Sequence, residues 1–396
     1  MKCKHAWSHL DFKPGGYAPC YRFKLYNNNL GKIPDLPSDV INNEHWKDVR
    51  RQLRKNEWPV GCKDCRIQEE NDIKSYRQRS LESTISTPDY ENDNVVITDL
   101  QLKMSNTCNF NCMHCDVKSN SNFILVGNKN KYIAETLYKD HNFDHVVNKR
   151  GKVIDKPTSE VMDDLFLNII PNIQKLEFAG GEPFYHIDMY KTLERMINDK
   201  NIDTKKITLS YNTNMSLIKF KKYDLIELWK HFKGVHITVS FDGTGNLFNY
   251  FRHKGDYNQV VKNLKTIVKN CKNLKSLLLV CTSCSYHVFY MNKISKDFFK
   301  LRKELNKISY NNLDINIRTT FVHSPAGLDM VNLDEKTKVI LLNEIEENEF
   351  TKDIIKRLKG KRTIPKETFK DIVKMQDTLY NRDASLLAPR IFDYVY

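Results

Sequence analysis

Seven of the ten cysteines sit at spacings that could gather metal. Cys108, Cys112 and Cys115 form C-x3-C-x2-C, and Cys3, Cys20, Cys62 and Cys65 come earlier, the last two as C-x2-C. Thiolates are soft ligands that suit iron–sulfur clusters. Four protein ligands close a [4Fe–4S] cluster, whereas three leave one iron open to something else, the logic of a reactive site. Zinc competes at both sets: His114 or His141 could complete four ligands beside the triplet, and C-x2-C pairs serve zinc equally well. Cys281 and Cys284 form another C-x2-C, but on an apolar strand, where residues three apart point to opposite faces. With Cys271 they read as small core residues. His186, His287, Tyr185, Tyr211 and Tyr286 read as satisfied polar groups near strand ends.

The elements that must position these cysteines follow from the apolar pattern. Strands are expected at Val95–Met104, Lys175–Ala179, Ile207–Tyr211, Val235–Phe241, Leu277–Thr282 and Ile315–Val322. Helical periodicity fills the gaps: Ser159–Ile170 with Ser159 as N-cap, Ile187–Ile197, Asp224–His231, Tyr257–Val268, Tyr290–Leu305 and Asp334–Leu358. Strands alternating with helices imply a parallel α/β sheet with right-handed crossovers. Six units are too few for a closed eightfold barrel, so the expectation is a partial (β/α)6 barrel. Residues 1–80 are broken by Pro14-Gly15-Gly16, Pro19, Pro34, Pro37 and Pro59 and read as irregular, with one helix at Glu44–Asn56 presenting Trp46, Val49 and Leu53. The organisation expected is a small N-terminal module at 1–82, a polar linker at 83–94, a core at 95–330 interrupted by a polar insertion at 120–156, and a helical extension at 331–396.

Of the chain's 396 residues, 40% are apolar and 28% charged, as in a soluble globular protein. There is no run of eighteen apolar residues, so no membrane span is expected. The segment Met1-Lys-Cys-Lys-His-Ala-Trp lacks the apolar stretch of a secretory signal, so the expected location is cytoplasmic. In that reducing setting the clustered cysteines argue for metal rather than disulfides. The formal charge of +14 would attract an acidic partner, but the lysines are scattered rather than blocked with aromatics, which argues against nucleic acid.

The triplet after the first strand resembles the radical S-adenosylmethionine (SAM) superfamily. Phe178-Ala179-Gly180-Gly181-Glu182-Pro183 after the second strand resembles that family's GGEP motif, which implies binding of the methionine amino group by Gly180, Gly181, Glu182 and Pro183. Tyr211-Asn212-Thr213-Asn214 after the third resembles its T-N-G segment. Ser240-Phe241-Asp242-Gly243 and Arg252 follow the fourth, and Val322 ends the sixth. The resemblance implies SAM ribose and carboxylate contacts for Asn212, Asn214, Ser240, Asp242 and Arg252, and an adenine contact for Val322. The family usually has an aromatic where this chain has His114. These segments fall at strand C-terminal ends, where β/α sheets gather their sites.

The pattern Cys3-x11-Gly15-x4-Cys20, followed by Cys62-x2-Cys65, resembles the SPASM and twitch modules that bind an auxiliary cluster. Asn71 stands where a full SPASM module would place a further cysteine, so the twitch type with one cluster fits, here preceding the core rather than following it.

What this resemblance implies is an enzyme with two [4Fe–4S] clusters, at Cys108/Cys112/Cys115 and at Cys3/Cys20/Cys62/Cys65. It would cleave SAM reductively with electrons from a donor such as flavodoxin or ferredoxin. The 5′-deoxyadenosyl radical would then abstract hydrogen from a peptide or protein in an oxidative reaction, the second cluster relaying the electron. Other readings left open are dehydrogenation of a small sugar-like alcohol, radical methylation or tRNA modification, and a non-catalytic zinc or nucleic-acid-binding protein.

Overall fold

Runs of β-branched and apolar residues bounded by turn residues become strands because alternate side chains can be buried on both faces of a covered sheet. The computed structural model describes residues 1–13, 16–23, 35–83, 86–115, 120–122, 157–310, 313–322, 326–362 and 367–396. The insertion read at 120–156 lies, beyond residue 122, outside the described residues, as do Gly15 and His141. Along the chain the described strands are β1 (His9–Lys13), β2 (Gly16–Ala18), β3 (Asp99–Leu102), β4 (Asn111–Cys112), β5 (Lys175–Phe178) and β6 (Thr208–Thr213). They continue with β7 (Lys219–Phe220), β8 (Tyr223–Asp224), β9 (Gly234–Ser240), β10 (Arg252–His253), β11 (Leu274–Ser283) and β12 (Asp314–Phe321).

Contacts divide the chain into two units. The described parts of Met1–Ser105, Phe143–Tyr211 and His231–Gly234 form the first; those of Asn106–Asn142, Asn212–Lys230 and Val235–Tyr396 form the second. In the first, β3, β5 and β6 are parallel neighbours, in register Leu100↔Leu176 and Leu176↔Leu209. β1 extends this sheet in parallel with β3, His9 opposite Asp99, and β2 folds back antiparallel on β1. Leu10, Leu100, Leu176 and Leu209 are fully buried. In the second unit β11 lies between β9 and β12, parallel to both, with Leu277, Leu279 and Val239 buried. The fold is therefore α/β with mostly parallel strands.

All six strands expected from the pattern are present. Residues 1–80, which read as irregular, contain β1, β2 and several short helices. Their order was hidden because β1's parallel partner lies some ninety residues downstream, which local sequence cannot register. Helix Glu44–Arg54 is capped by Asn43, whose Oδ1 accepts from Trp46 N at 3.0 Å, and it buries Trp46, Val49 and Leu53 as the spacing requires. It also buries Arg50, whose guanidinium donates to the Ile41 and Asp93 carbonyls.

Two helix readings are corrected. The N-cap of the Ser159 helix is Thr158, whose hydroxyl accepts from Val161 N, and the α-helix ends at Asp164 before a π-turn over Leu165–Ile169. The long helix read at Asp334–Leu358 is two, Glu335–Glu344 and Lys352–Leu358. Asn348 Oδ1 accepts from Phe350 N and Thr351 N, an Asx turn that competes with continued helix.

Leu176 sits between β3 and β6 with no solvent exposure. Leu176→Ala is expected to lower unfolding stability by roughly 2–5 kcal/mol. A denaturant midpoint unchanged from wild type would contradict that placement.

Candidate functional site

The cysteine triplet lies in the second unit. Its loop has little regular structure, so its shape must come from side chains that substitute for missing ladder bonds. Asn120 Nδ2 donates to the Phe110 carbonyl at 2.6 Å, and Asn122 Nδ2 donates to the Cys108 carbonyl at 2.9 Å and to Asn111 Oδ1 at 2.8 Å. Asn111 and Cys112 form β4, antiparallel to β10, with Arg252 opposite Cys112. Met113 N donates to the Phe251 carbonyl at 2.9 Å, and Gln376 Nε2 donates to the Met113 carbonyl at 2.8 Å. Cys112 is buried; Cys108 and Cys115 are half-buried. Gln376, in the expected helical extension, is a loop-positioning residue that no local motif announced.

Three expected SAM contacts surround the triplet. Asn214 Nδ2 donates to Asn109 Oδ1 at 2.9 Å and lies 3.9 Å from Cys108 Sγ. Arg252 Nη1 donates to Cys112 Sγ at 3.5 Å, while its Nη2 meets Asp242 Oδ2 at 2.5 Å. Asp242 is fully buried; its Oδ1 accepts from Thr282 N at 2.7 Å, and its Oδ2 lies 3.3 Å from His114 Nε2. Burial alone would raise the Asp242 pKa, but Arg252, His114 and His287 together hold it below the usual carboxylate value. Burial likewise depresses His114, against the pull of Asp242, and pushes His287 down to about 3. The structure thus joins Cys112, Arg252, Asp242 and His114 in one buried network. Asn212 is exposed, Ser240 half-exposed, and Val322 buried at the end of β12.

Cys281 and Cys284 are both buried, and desolvation raises both thiols far above their ordinary range. Cys284 Sγ lies 3.2 Å from His287 Nδ1, which also accepts from Cys284 N. Protonated, buried thiols are inert, in agreement with the core reading.

Gly180–Pro183 belong to the first unit, immediately after β5. Gly180 and Gly181 have φ of +82° and +48°. A Cβ on Gly180 would come 3.0 Å from the Ser105 carbonyl oxygen and 3.2 Å from Lys103 Cβ, so only glycine fits this turn. Glu182 is buried, and its Oε1 accepts from Phe184 N at 3.0 Å, capping the turn at Pro183–Tyr185. The bare backbone at Gly180 and Gly181 suits close approach of a ligand.

The first unit also holds the second cysteine set. Cys3, Cys20, Cys62 and Cys65 line one small pocket, with His5, Arg22, Trp58, Tyr76 and Arg77. Desolvation raises Cys62, and the neighbouring Cys20, Cys3 and Cys65 raise it further. Among the described residues, the groups whose ligand atoms all lie within 4.8 Å of one another are His5–His9–Asp99 and His114–Asp242–His287; neither cysteine set is among them. A tetrahedral zinc with four thiolates would hold its sulfurs about 3.8 Å apart, from a Zn–S bond of about 2.3 Å.

Residues 102–283 match the family model described as Radical SAM superfamily. Over 207 residues the chain is 27% identical to the radical SAM cyclopropyl synthase TigE of Paramaledivibacter caminithermalis, an alignment covering 51% of this chain and 38% of that protein. Among solved structures, Streptococcus suis SuiB bound to S-adenosylmethionine aligns with a TM-score of 0.33 at 11% identity, over 84% of this chain and 66% of that one. SuiB bound to the precursor peptide SuiA aligns with a TM-score of 0.32 at 12% identity, over 80% and 63%. The chain thus spans well under half of TigE and under two thirds of SuiB, and the structural likeness is too slight to argue from.

Removing Arg252 would strand the buried Asp242 carboxylate. Arg252→Leu is expected to cost roughly 3–5 kcal/mol of stability at pH 7. Because the folded pKa of Asp242 is depressed, its contribution is present above the unfolded value and fades as pH falls through the folded one. The gap between variant and wild type should therefore narrow below about pH 4. Denaturant unfolding at both pH values checks this; a gap independent of pH would contradict it.

Proposed function

We propose that this chain, whose residues 102–283 match the radical SAM family model, is an enzyme that splits SAM at a [4Fe–4S] cluster held by Cys108, Cys112 and Cys115. The observation that carries this reading is the triplet loop held by side-chain hydrogen bonds, with Cys112 buried and accepting from Arg252 Nη1 at 3.5 Å. A cluster held there would supply one electron, received from a donor such as flavodoxin or ferredoxin, for cleavage of SAM to methionine and a 5′-deoxyadenosyl radical able to take a hydrogen atom from substrate.

The chain's own residues fit the supporting roles. Gly180 and Gly181 leave backbone open to the methionine end of SAM, with Glu182 fixing the turn and Pro183 beginning it. Asn214 steadies the loop at Asn109, and Asp242 holds the Arg252 guanidinium against the cluster ligand. Asn212, Ser240 and Val322 remain assigned to SAM by resemblance. The core belongs to a partial barrel with residues 1–82 as a twitch-like module.

Cys3, Cys20, Cys62 and Cys65 take a second [4Fe–4S] cluster in this reading. Four ligands would leave it no open iron, so it would carry electrons rather than bind substrate. Its place fits that role. Cys3 leads through helix Lys4–Ser8 into the N-terminal end of β1, beside Asp99 of β3, whereas Gly180 packs on Lys103 and Ser105 past the C-terminal end of β3. The four residues of β3 separate the two ends by about 10 Å.

For the substrate we favour a peptide or protein modified oxidatively, on the net charge of +14 and the long polar insertion, either of which could hold an extended acidic ligand.

Anaerobic reconstitution tests the proposal. Wild type should hold about eight irons per chain and release 5′-deoxyadenosine with dithionite and SAM; Cys112→Ala should hold about four and release none. Cys62→Ala should also hold about four but still cleave SAM. Cleavage surviving in Cys112→Ala would overturn the assignment of the catalytic cluster.

A further inference from the structure

The first unit contains a second constellation that the radical chemistry does not use. His5 lies on the short helix Lys4–Ser8, His9 four residues later at its C-cap, and Asp99 directly across the β1–β3 ladder from His9. Two histidines at i and i+4 can share one face of a helical turn and converge on one point, and the ladder register brings a carboxylate to the same point. The three side chains are 7%, 2% and 1% exposed, and their ligand atoms all lie within 4.8 Å of one another.

The contacts among them are unusual for a hydrogen-bonded network. His9 Nδ1 and Asp99 Oδ2 are 3.1 Å apart, while His9 Nε2 and Asp99 Oδ1 are buried with no hydrogen-bond partner. Buried polar atoms left without a hydrogen-bond partner beside this close pair are positions an ion could satisfy. Two donors pointed at one ion, each about 2.0–2.1 Å from it, stand about 3.0–3.4 Å apart. The His5 ring is fixed by stacking on Tyr76 at 4.5 Å and stands edge-on to His9 at 5.1 Å. Lys175 Nζ pairs with Asp99 Oδ1 at 3.8 Å and donates its hydrogen bond to Glu177 Oε2 at 3.0 Å, which leaves Asp99 Oδ1 without a hydrogen bond.

We infer that His5, His9 and Asp99 form a binding site for a divalent transition-metal ion, with zinc the best match to two imidazoles and one carboxylate. Three protein ligands leave a fourth position for water. The site is distinct from the four-cysteine pocket, although His5 borders both.

The test uses the full chain, reconstituted with iron and sulfide, exposed to zinc chloride and desalted. Wild type should retain one zinc per chain, with a zinc-edge X-ray absorption spectrum of nitrogen and oxygen neighbours only. His9→Gln and Asp99→Asn should retain at least about tenfold less zinc. Iron content should stay at the wild-type value in both, which reports intact clusters and folding independently of the zinc. Zinc absent from wild type, a sulfur shell in its spectrum, or retention unchanged in both variants would each overturn the site. The iron count separates that failure from failure of the cluster assignments.

Discussion

A carboxylate with no exposure to solvent governs how the cysteine loop can be held. Asp242 cannot stay charged inside the protein alone, since desolvating an ion costs far more than any one packing contact returns. It is therefore tied to Arg252 at 2.5 Å, to Thr282 N at 2.7 Å and to His114 at 3.3 Å. Arg252 in turn has a second arm, which it gives to Cys112 Sγ. The network fixes β10 against β4, and with it the register of the loop between Cys108 and Cys115. A guanidinium beside a thiolate also stabilises the negative sulfur, one of the ways a protein sets the potential of a cluster.

The same economy is visible in the first unit. The Gly180–Gly181 turn exists because backbone from the end of β3 presses on it, leaving no room for a side chain. The N-terminal segment does more than carry cysteines: β1 completes a row of parallel strands, and its first residue brings an imidazole to the Asp99 carboxylate. Chemistry-bearing groups thus occupy both ends of the same short strands.

Legibility in the sequence followed the range of the interaction that decided each feature. The Glu44–Arg54 helix and its Trp46, Val49 and Leu53 face were visible because helical contacts lie three and four residues apart. The Asn348 turn was missed because an apolar rhythm runs on across it while a side chain captures the backbone amides. The Ser159 cap was misplaced by one residue because Thr158 and Ser159 have the same capping chemistry and only backbone geometry chooses between them. Gln376 was invisible, since nothing local marks a glutamine that bonds a carbonyl 263 residues away.

By itself, the sequence determined the chemistry available: three cysteines at a spacing suited to metal, four more that could close a site, and a Gly180–Gly181 pair able to turn where other residues cannot. It also determined the alternation of strands and helices, because burial periodicity is a local property. Tertiary structure alone decided which ionisable groups became neighbours. The Asp242–Arg252–Cys112 chain and the meeting of His5, His9 and Asp99 depend on strand register across long stretches of chain, and register is set by the packing of whole faces rather than by any residue's immediate sequence.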